Sequence, residues 1–265
     1  MSAPAVMMEV RDKICQLTLN RPANRNSIDD EIPLALKQRL EELKDVKDIR
    51  CIILTGSGST FCSGGDFRSE LFKHIFDDRT LLANEAVQKK IYGPVVGLLD
   101  VELPIIAAMN GHAIGGGLGV ALLCDFRIAN KTAKYGVNFV RLGCTSGLAI
   151  SYTLPRLIGI PAAMELLLTG RLISGEQAAQ IGIANYATDS EGVLPKAWEL
   201  AREIAAAAPM AVRAMKKQIY RGYAAERAEA LTMESHNMSR TMQSEDFVEG
   251  IRALLEKREP NFVGR

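Results

Sequence analysis

The chain has 265 residues, 48% of them hydrophobic, which is enough to bury a sizeable core as one domain plus an appendage. Its 32 basic and 31 acidic residues leave a formal charge of +1 with no polybasic block, which argues against a nucleic acid or an anionic membrane as partner. Five cysteines (Cys15, Cys51, Cys62, Cys124 and Cys144) lack Cys-x-x-Cys spacing, four of them sit in apolar or glycine-flanked segments, and no apolar run reaches membrane-span length.

Together these features predict a reducing, cytoplasmic setting with no resident metal. The opening Met1–Glu9 segment has no basic-then-apolar leader pattern, and the closing Val263-Gly264-Arg265 is not a peroxisomal tail, in keeping with that expectation.

In chain order, Met7–Arg11 and Ile14–Leu19 flank Asp12-Lys13 and predict an opening hairpin. Ser27 is placed to cap an amphipathic helix reaching about Lys44, although Pro33 offers a later start at the first helical turn. The mixed charges of Leu40–Arg50 read as a solvated face. Arg50–Thr55 then reads as a buried strand, followed by the loop 56–60 and by Phe61-Cys62-Ser63-Gly64-Gly65-Asp66.

From Asp66 to about Asp100 the pattern is helical and polar, and Arg68, Glu70, Lys73 and His74 within it read as solvent-facing. Phe126–Ala129 and Lys134–Val137 return as strands. Helices are expected over Ser146–Leu157 and Pro161–Thr169, and Ser174 with Gln177 forms a capping box ahead of Glu176–Ile181. Ile183–Ala187 reads as an edge strand. Beyond it only helical period remains, in Pro195–Ala208, Met210–Arg221, Glu226–Arg240 and Ser244–Lys257. This gives an α/β core over 1–193 and an all-helical region over 194–265, whose apolar stripes must cover the core or another subunit.

The stretch Ile105–Asp125 organises the rest. A short buried strand turns at Asn110-Gly111 and passes through Gly115-Gly116-Gly117 into the apolar helix Leu118–Cys124. Consecutive glycines let a ligand approach the backbone, and a helix start presents N–H groups without intrahelical partners. Such a turn can hold a phosphate, a carboxylate or the oxyanion of a developing enolate, or can simply pack tightly. The Phe61–Asp66 segment supplies a second strand, a second glycine turn and a second set of free N–H groups.

Taken together, these two turns resemble the crotonase (enoyl-CoA hydratase/isomerase) superfamily. The resemblance extends over Leu19-Asn20-Arg21-Pro22 with Arg25-Asn26-Ser27, over Leu154–Gly159 and Leu168–Arg171, and over the closing Arg258–Phe262. It implies a spiral of β-β-α turns with a C-terminal helical region that forms trimers, often paired into hexamers. It also implies an acyl thioester as ligand, carried on coenzyme A or on the phosphopantetheine of an acyl carrier protein, with no other cofactor. Carried over by position, the oxyanion donors are Ser63 N–H and Gly116 N–H. The surrounding binding residues are Arg25, Gly64, Gly65, Asp66, His112, Gly115, Asn138, Phe139 and Phe262, with His112 bracing the turn.

Two departures bear on the reaction. The family's hydratases carry a glutamate three residues after the oxyanion glycine, where this chain has Gly119, and a second where it has Phe139. Neither can exchange a proton, and concerted addition of water needs a positioned acid/base pair. The segments Gly111–Gly117 and Asn138–Gly147 are instead similar to the decarboxylating crotonases of polyketide β-branching, which act on a glutaconyl-type thioester. Those enzymes use a lysine and a histidine, for which Lys73 and His236 are the nearest candidates here, though neither falls in register. The alternatives are a hydratase/isomerase recruiting Asp66, Glu70 or Glu85, and a non-catalytic thioester- or RNA-binding relative whose basic helix would carry Arg213, Lys216, Lys217 and Arg221.

Overall fold

The computed structural model describes residues 3–46, 48–70, 81–223, 225 and 227–265. Strands β1 (Val6–Arg11) and β2 (Ile14–Leu19) form the expected antiparallel hairpin. Asp12 and Lys13 both take positive φ, as a two-residue turn that follows the strand twist requires. β2 then continues into a parallel array with β3 (Cys51–Gly56), β5 (Ile105–Met109), β7 (Phe126–Asn130) and β10 (Tyr186–Thr188). Every residue of β3 and β5 is buried. Strands covered on both faces need continuous apolar runs rather than alternation, and Cys51-Ile-Ile-Leu54 and Ile105-Ile-Ala-Ala108 are such runs.

The short strands β4 (Thr60–Cys62), β6 (His112–Ile114), β8 (Lys134–Gly136) and β9 (Ile173–Ser174) build a second, four-stranded sheet. Each turn of the chain therefore places one strand in each sheet, β3 then β4, β5 then β6, β7 then β8. That is the expected spiral, and its main core fills the space between the sheets.

Helix α1 spans Ile32–Glu42, so the later of the two expected starts is the one used. The carboxylate of Asp29 accepts from the N–H groups of Glu31 and Ile32, while Ser27 lies upstream and buried. α2 covers Leu81–Val96, and α3 covers Gly116–Leu122. α4 begins at Ile150 rather than Ser146, because Leu148 and Ala149 adopt φ of 54° and 53°, which no right-handed helix admits. α5 (Ile160–Thr169) follows, and α6 (Gly175–Gln180) opens on the capping box of Ser174 and Gln177. The stretch expected as an edge strand from Ile183 pairs only from Tyr186. The carbonyl of Ile183 is taken by Arg127 Nε and the N–H of Ala184 goes to Ala178, so these residues close α6 instead.

Helix α7 (Ser190–Ala206) lays Val193, Ala197, Trp198, Ala201 and Ala205 across the outer face of the large sheet, against Ile14, Ile53, Ile106 and Ile128. The boundary expected at 193/194 thus falls inside a helix that belongs to the core. Beyond it come α8 (Pro209–Gly222), α9 (Arg227–Met242) and α10 (Glu245–Glu256). α8 is tied to the core where Lys216 Nζ meets the Asp125 carboxylate at 2.7 Å and the Leu103 carbonyl at 2.8 Å. No helix among the described residues is long and apolar enough to cross a membrane.

Candidate active site

The parallel pairing of β4 with β6 brings the two glycine turns side by side. A Cβ on Gly64 would lie 2.7 Å from the Ile114 carbonyl oxygen and 3.4 Å from Gly116 N, and the φ of Gly64 is +92°. Only glycine fits there. A Cβ on Gly117 would collide with the Cys62 carbonyl, so the bare backbone of α3 packs directly on β4. Gly115, at φ 55° and ψ −120°, turns the chain into α3 while its own N–H donates to the Gly136 carbonyl at 2.8 Å.

Hydrogen-bond accounting along both turns shows which donors remain. Ser63 N–H donates to the Arg25 carbonyl at 3.2 Å, and Asp66 N–H donates to the Ile28 carbonyl at 2.9 Å. Between them, Gly65 N–H has no acceptor among the described residues, and the same is true of Gly116 N–H at the first position of α3. Ser63 N–H, expected as the donor of this turn, thus meets the Arg25 carbonyl, and Gly65 N–H is the one left without an acceptor among the described residues. The Gly116 expectation stands as a proposal on the same accounting.

The Arg25 turn is itself built by Asn26, which is fully buried at φ 53°. Its side-chain amide donates to the carbonyls of Ser57 and Thr60 at 2.9 and 2.7 Å, and its Oδ1 accepts Arg21 N–H at 2.8 Å. Ile28 N–H then donates to the Gly64 carbonyl at 2.7 Å, so residues 25–28 brace the first glycine turn along its length.

Around the second turn the wall is apolar. A Cβ on Gly119 would lie 2.8 Å from Leu148 Cδ1 and 3.0 Å from Ile150 Cδ1, so the place of a side chain three residues after Gly116 is already filled. The Ile28 side chain comes within 3.1 Å of the corresponding position on Gly116. Asn138 Oδ1 and the Phe139 ring approach the Gly115 position at 3.2 and 3.9 Å, which brings Gly115, Asn138 and Phe139 together.

A cleft of about 400 Å³ opens beside Gly65, lined by Asn24, Arg25, Ser27, Ser63, Asp66 and Arg68 among others. Ser27 Oγ and Asn24 Oδ1 are buried there without a hydrogen-bond partner. The Arg25 side chain is exposed. Burial works to raise the Asp66 carboxyl, but the backbone and guanidinium of Arg68 outweigh it and hold the group below the usual carboxylate range. A larger groove of about 1210 Å³ runs between α1 and α2 past Lys37, Lys89 and Arg213. It reaches neither Gly65 nor Gly116, whereas the smaller cleft is lined by Gly65.

Other expected residues lie elsewhere. His112 is exposed, and its Nδ1 accepts Lys134 N–H at 2.9 Å, bracing β6 against β8. Phe262 sits against Gly250 of α10 and gives its carbonyl to Arg50 Nη2 at 2.7 Å, just ahead of β3, so it is not gathered with the free N–H groups. His236 is exposed on α9, whose main packing partners are α8 and α10. Lys73 and His74 fall outside the described residues. On the basic face considered for RNA, Lys216 is tied inward to Asp125, and Arg213 reaches the Ile49 carbonyl at 3.4 Å.

A family model described as enoyl-CoA hydratase/isomerase matches residues 9–265. A crotonyl-CoA hydratase from Syntrophomonas wolfei is 34% identical over 263 residues, covering 98% of each chain. An (E)-benzylidenesuccinyl-CoA hydratase from Thauera aromatica is 34% identical over 261 residues, covering 98% of this chain and 99% of its own. The crystal structure of an enoyl-CoA hydratase from Bacillus anthracis superposes with a TM-score of 0.91 at 31% identity, over 98% of this chain and 100% of the other.

Proposed function

The chain belongs to the enoyl-CoA hydratase/isomerase family, and from that premise we propose that it binds an acyl-CoA thioester with the carbonyl oxygen between Gly65 N–H and Gly116 N–H. The observation that carries this reading is that these two backbone donors, one on each of the paired glycine turns, have no acceptor among the described residues, while Ser63, Asp66 and Gly115 N–H are engaged. Two such donors, fixed before the substrate arrives, stabilise negative charge on the oxygen as an enolate forms, and one of them is worth about 3–4 kcal/mol in the transition state. The coenzyme A portion lies along the cleft of Arg25, Ser27 and Asp66.

The reaction run on that enolate is decarboxylation of a glutaconyl-type thioester. With Gly119 and Phe139 in place of carboxylates, the acyl side holds Leu148, Ile150 and Ile28. A substrate carboxylate against that apolar wall has no counter-charge, which favours its leaving as carbon dioxide. The carbon–carboxylate bond breaks, its electron pair passes into the dienolate, and the oxygen between the two N–H groups takes the charge. A proton then returns to carbon.

Hydration is the second reading, favoured by the named activities of the Syntrophomonas and Thauera relatives. One preparation offered crotonyl-CoA and glutaconyl-CoA in parallel separates the two. Carbon dioxide release with hydration orders of magnitude slower supports decarboxylation. Fast hydration without carbon dioxide release sinks it and establishes the hydratase. A glutaconyl thioester on an acyl carrier protein, run alongside, tests whether coenzyme A is the carrier.

The same reading assigns the exposed apolar side chains of the last three helices to contacts between copies of the chain in a trimer or hexamer. Ile219 on α8, Met238 on α9 and Leu254 on α10 are more than half exposed, at 61, 65 and 73%.

A further inference from the structure

We propose that Tyr92, on α2, is the proton donor that serves the acyl side of this site in place of the two carboxylates; this rests on the thioester reading above. The starting observation is where the ring sits. The Tyr92 ring occupies the space a Cβ on Gly147 would take, with Cε2 2.4 Å and the phenol oxygen 3.1 Å from that position, so any side chain there must displace the ring. The next residue, Leu148, covers the second glycine turn: its Cδ1 lies 3.8 Å from the Cβ position of Gly116 and 2.8 Å from that of Gly119. Tyr92 therefore stands against the same short segment that fills the missing carboxylate's place.

Three of the competing proton carriers are placed by the structure, while Lys73 and His74 lie outside the described residues. His112 is engaged with Lys134 N–H, Asp66 is paired with Arg68, and His236 is exposed on α9. The Cys144 thiol, near Tyr92, donates to the Phe139 carbonyl at 3.6 Å. The Tyr92 hydroxyl has no hydrogen-bond partner among the described residues, and the residue is half-buried. Burial, and then the neighbouring Cys144, push its ionisation above the ordinary phenol range, so it carries its proton at neutral pH.

The step balances as follows. Loss of carbon dioxide leaves an electron pair delocalised between the thioester oxygen and carbon. The Tyr92 O–H bond breaks as its proton bonds to that carbon, giving a neutral thioester and a phenolate. Solvent then returns a proton to the phenolate. In a hydration, water would bond through oxygen to the β-carbon and release one proton to solvent, the Tyr92 O–H would break as its proton bonds to the α-carbon of the enolate, and solvent would return a proton to the phenolate.

Tyr92→Phe tests this because it keeps the ring against Gly147 and removes only the hydroxyl. Glutaconyl-CoA and crotonyl-CoA are turned over in heavy water, and kcat, KM and, where deuterium enters the α-carbon as in hydration, its configuration are measured. The expected result is a fall in kcat of about a hundredfold, within the usual range for one general acid, an unchanged KM, and loss of the single configuration that the parent enzyme gives. A variant that keeps kcat and stereochemistry overturns the proposal, whichever of the two reactions the parent catalyses.

If the parent turns over neither thioester, the function proposed above fails, and Tyr92 is judged separately by deuterium exchange at the α-carbon of butyryl-CoA. Exchange by the parent that is lost in Tyr92→Phe supports the assignment; equal exchange, or none in either protein, overturns it. Gly147→Ala, which must displace the ring, is expected to reproduce the loss, and full activity in that variant counts against the placement.

Discussion

The backbone N–H of Ser63 donates to the carbonyl oxygen of Arg25 at 3.2 Å, and this bond underlies the proposal that Gly65 is the donor of the first glycine turn. With Ser63 engaged backward and Asp66 engaged with Ile28, the free N–H belongs to Gly65. Gly65→Pro, which removes that N–H, should lower turnover of any thioester substrate by about a hundredfold or more. Ser63→Ala keeps every backbone bond and should leave turnover within about threefold, since only transition-state donors carry the large term. Circular dichroism on both variants separates chemistry from folding. Full turnover in Gly65→Pro, with the hundredfold loss appearing instead in Ser63→Pro, would return the donor role to Ser63.

The two glycine turns were legible in the sequence because their chemistry is local: consecutive glycines after a buried strand admit few alternatives. The strands were legible for a similar reason, since Cys51–Leu54 and Ile105–Ala108 are apolar on both faces. The engagement of Ser63 N–H was not legible, because its partner, the Arg25 carbonyl, is distant in sequence and is aimed by Asn26, whose side-chain hydrogen bonds no local pattern announces. Tyr92 was passed over for the same reason: a tyrosine in a polar helical stretch looks ordinary until the fold packs it on Gly147. The start of α4 slipped because two non-glycine residues, Leu148 and Ala149, take left-handed φ where helical period alone would continue the helix.

The C-terminal tail is held by carboxylates, and this makes it acid-sensitive. Glu249 accepts from Arg258 at 2.6 and 3.0 Å and from Asn261 N–H at 2.9 Å, while buried Asp246 accepts from Val263 and Gly264 N–H. The Arg258 hydrogen bonds, then that of Asn261, lower the Glu249 pKa from 4.5 to about 2. A depressed carboxyl contributes stability that is present above its unfolded value and lost as pH falls through the folded one. The tail should therefore stay docked at pH 5 and release progressively as pH falls from about 4.5 to 2. Amide exchange at Asn261, Val263 and Gly264 checks this. Protection that is unchanged down to pH 2 would show that Glu249 does not hold the tail.

Oligomerisation is expected from the last helices. Contiguous exposed apolar side chains on a monomer mark an interaction surface. On α10, Val248, Ile251, Leu254 and Leu255 are all exposed, at 54, 46, 73 and 78%. Light scattering at micromolar concentration should report a trimer or a multiple of it, and Ile251→Asp with Leu254→Asp should shift the mass toward monomer while the spiral core keeps its circular dichroism. A parent protein that is monomeric under those conditions refutes the assignment.

The last prediction concerns the filled carboxylate position. Gly119→Glu places a side chain where Leu148 Cδ1 and Ile150 Cδ1 already stand, at 2.8 and 3.0 Å from its Cβ. Overpacking of this kind costs about 1–3 kcal/mol, and a helical glycine replaced by a better helix former returns at most about 1 kcal/mol. A carboxylate pressed into that wall is also desolvated, which raises its pKa and keeps it from acting as a base. Gly119→Glu alone should thus lower the urea midpoint and leave crotonyl-CoA hydration near the parent rate. Adding Leu148→Ala opens the space, lets water reach the carboxylate, and should raise hydration by at least about a hundredfold, the contribution of one general acid/base. Phe139→Glu in the same background should raise it further, because a second proton carrier then faces the first across the turn. If Gly119→Glu alone restores hydration, Leu148 and Ile150 do not block the site. If the triple variant stays inactive while it still binds crotonyl-CoA, the absence of carboxylates is not what limits hydration, and the case for decarboxylation loses its main support.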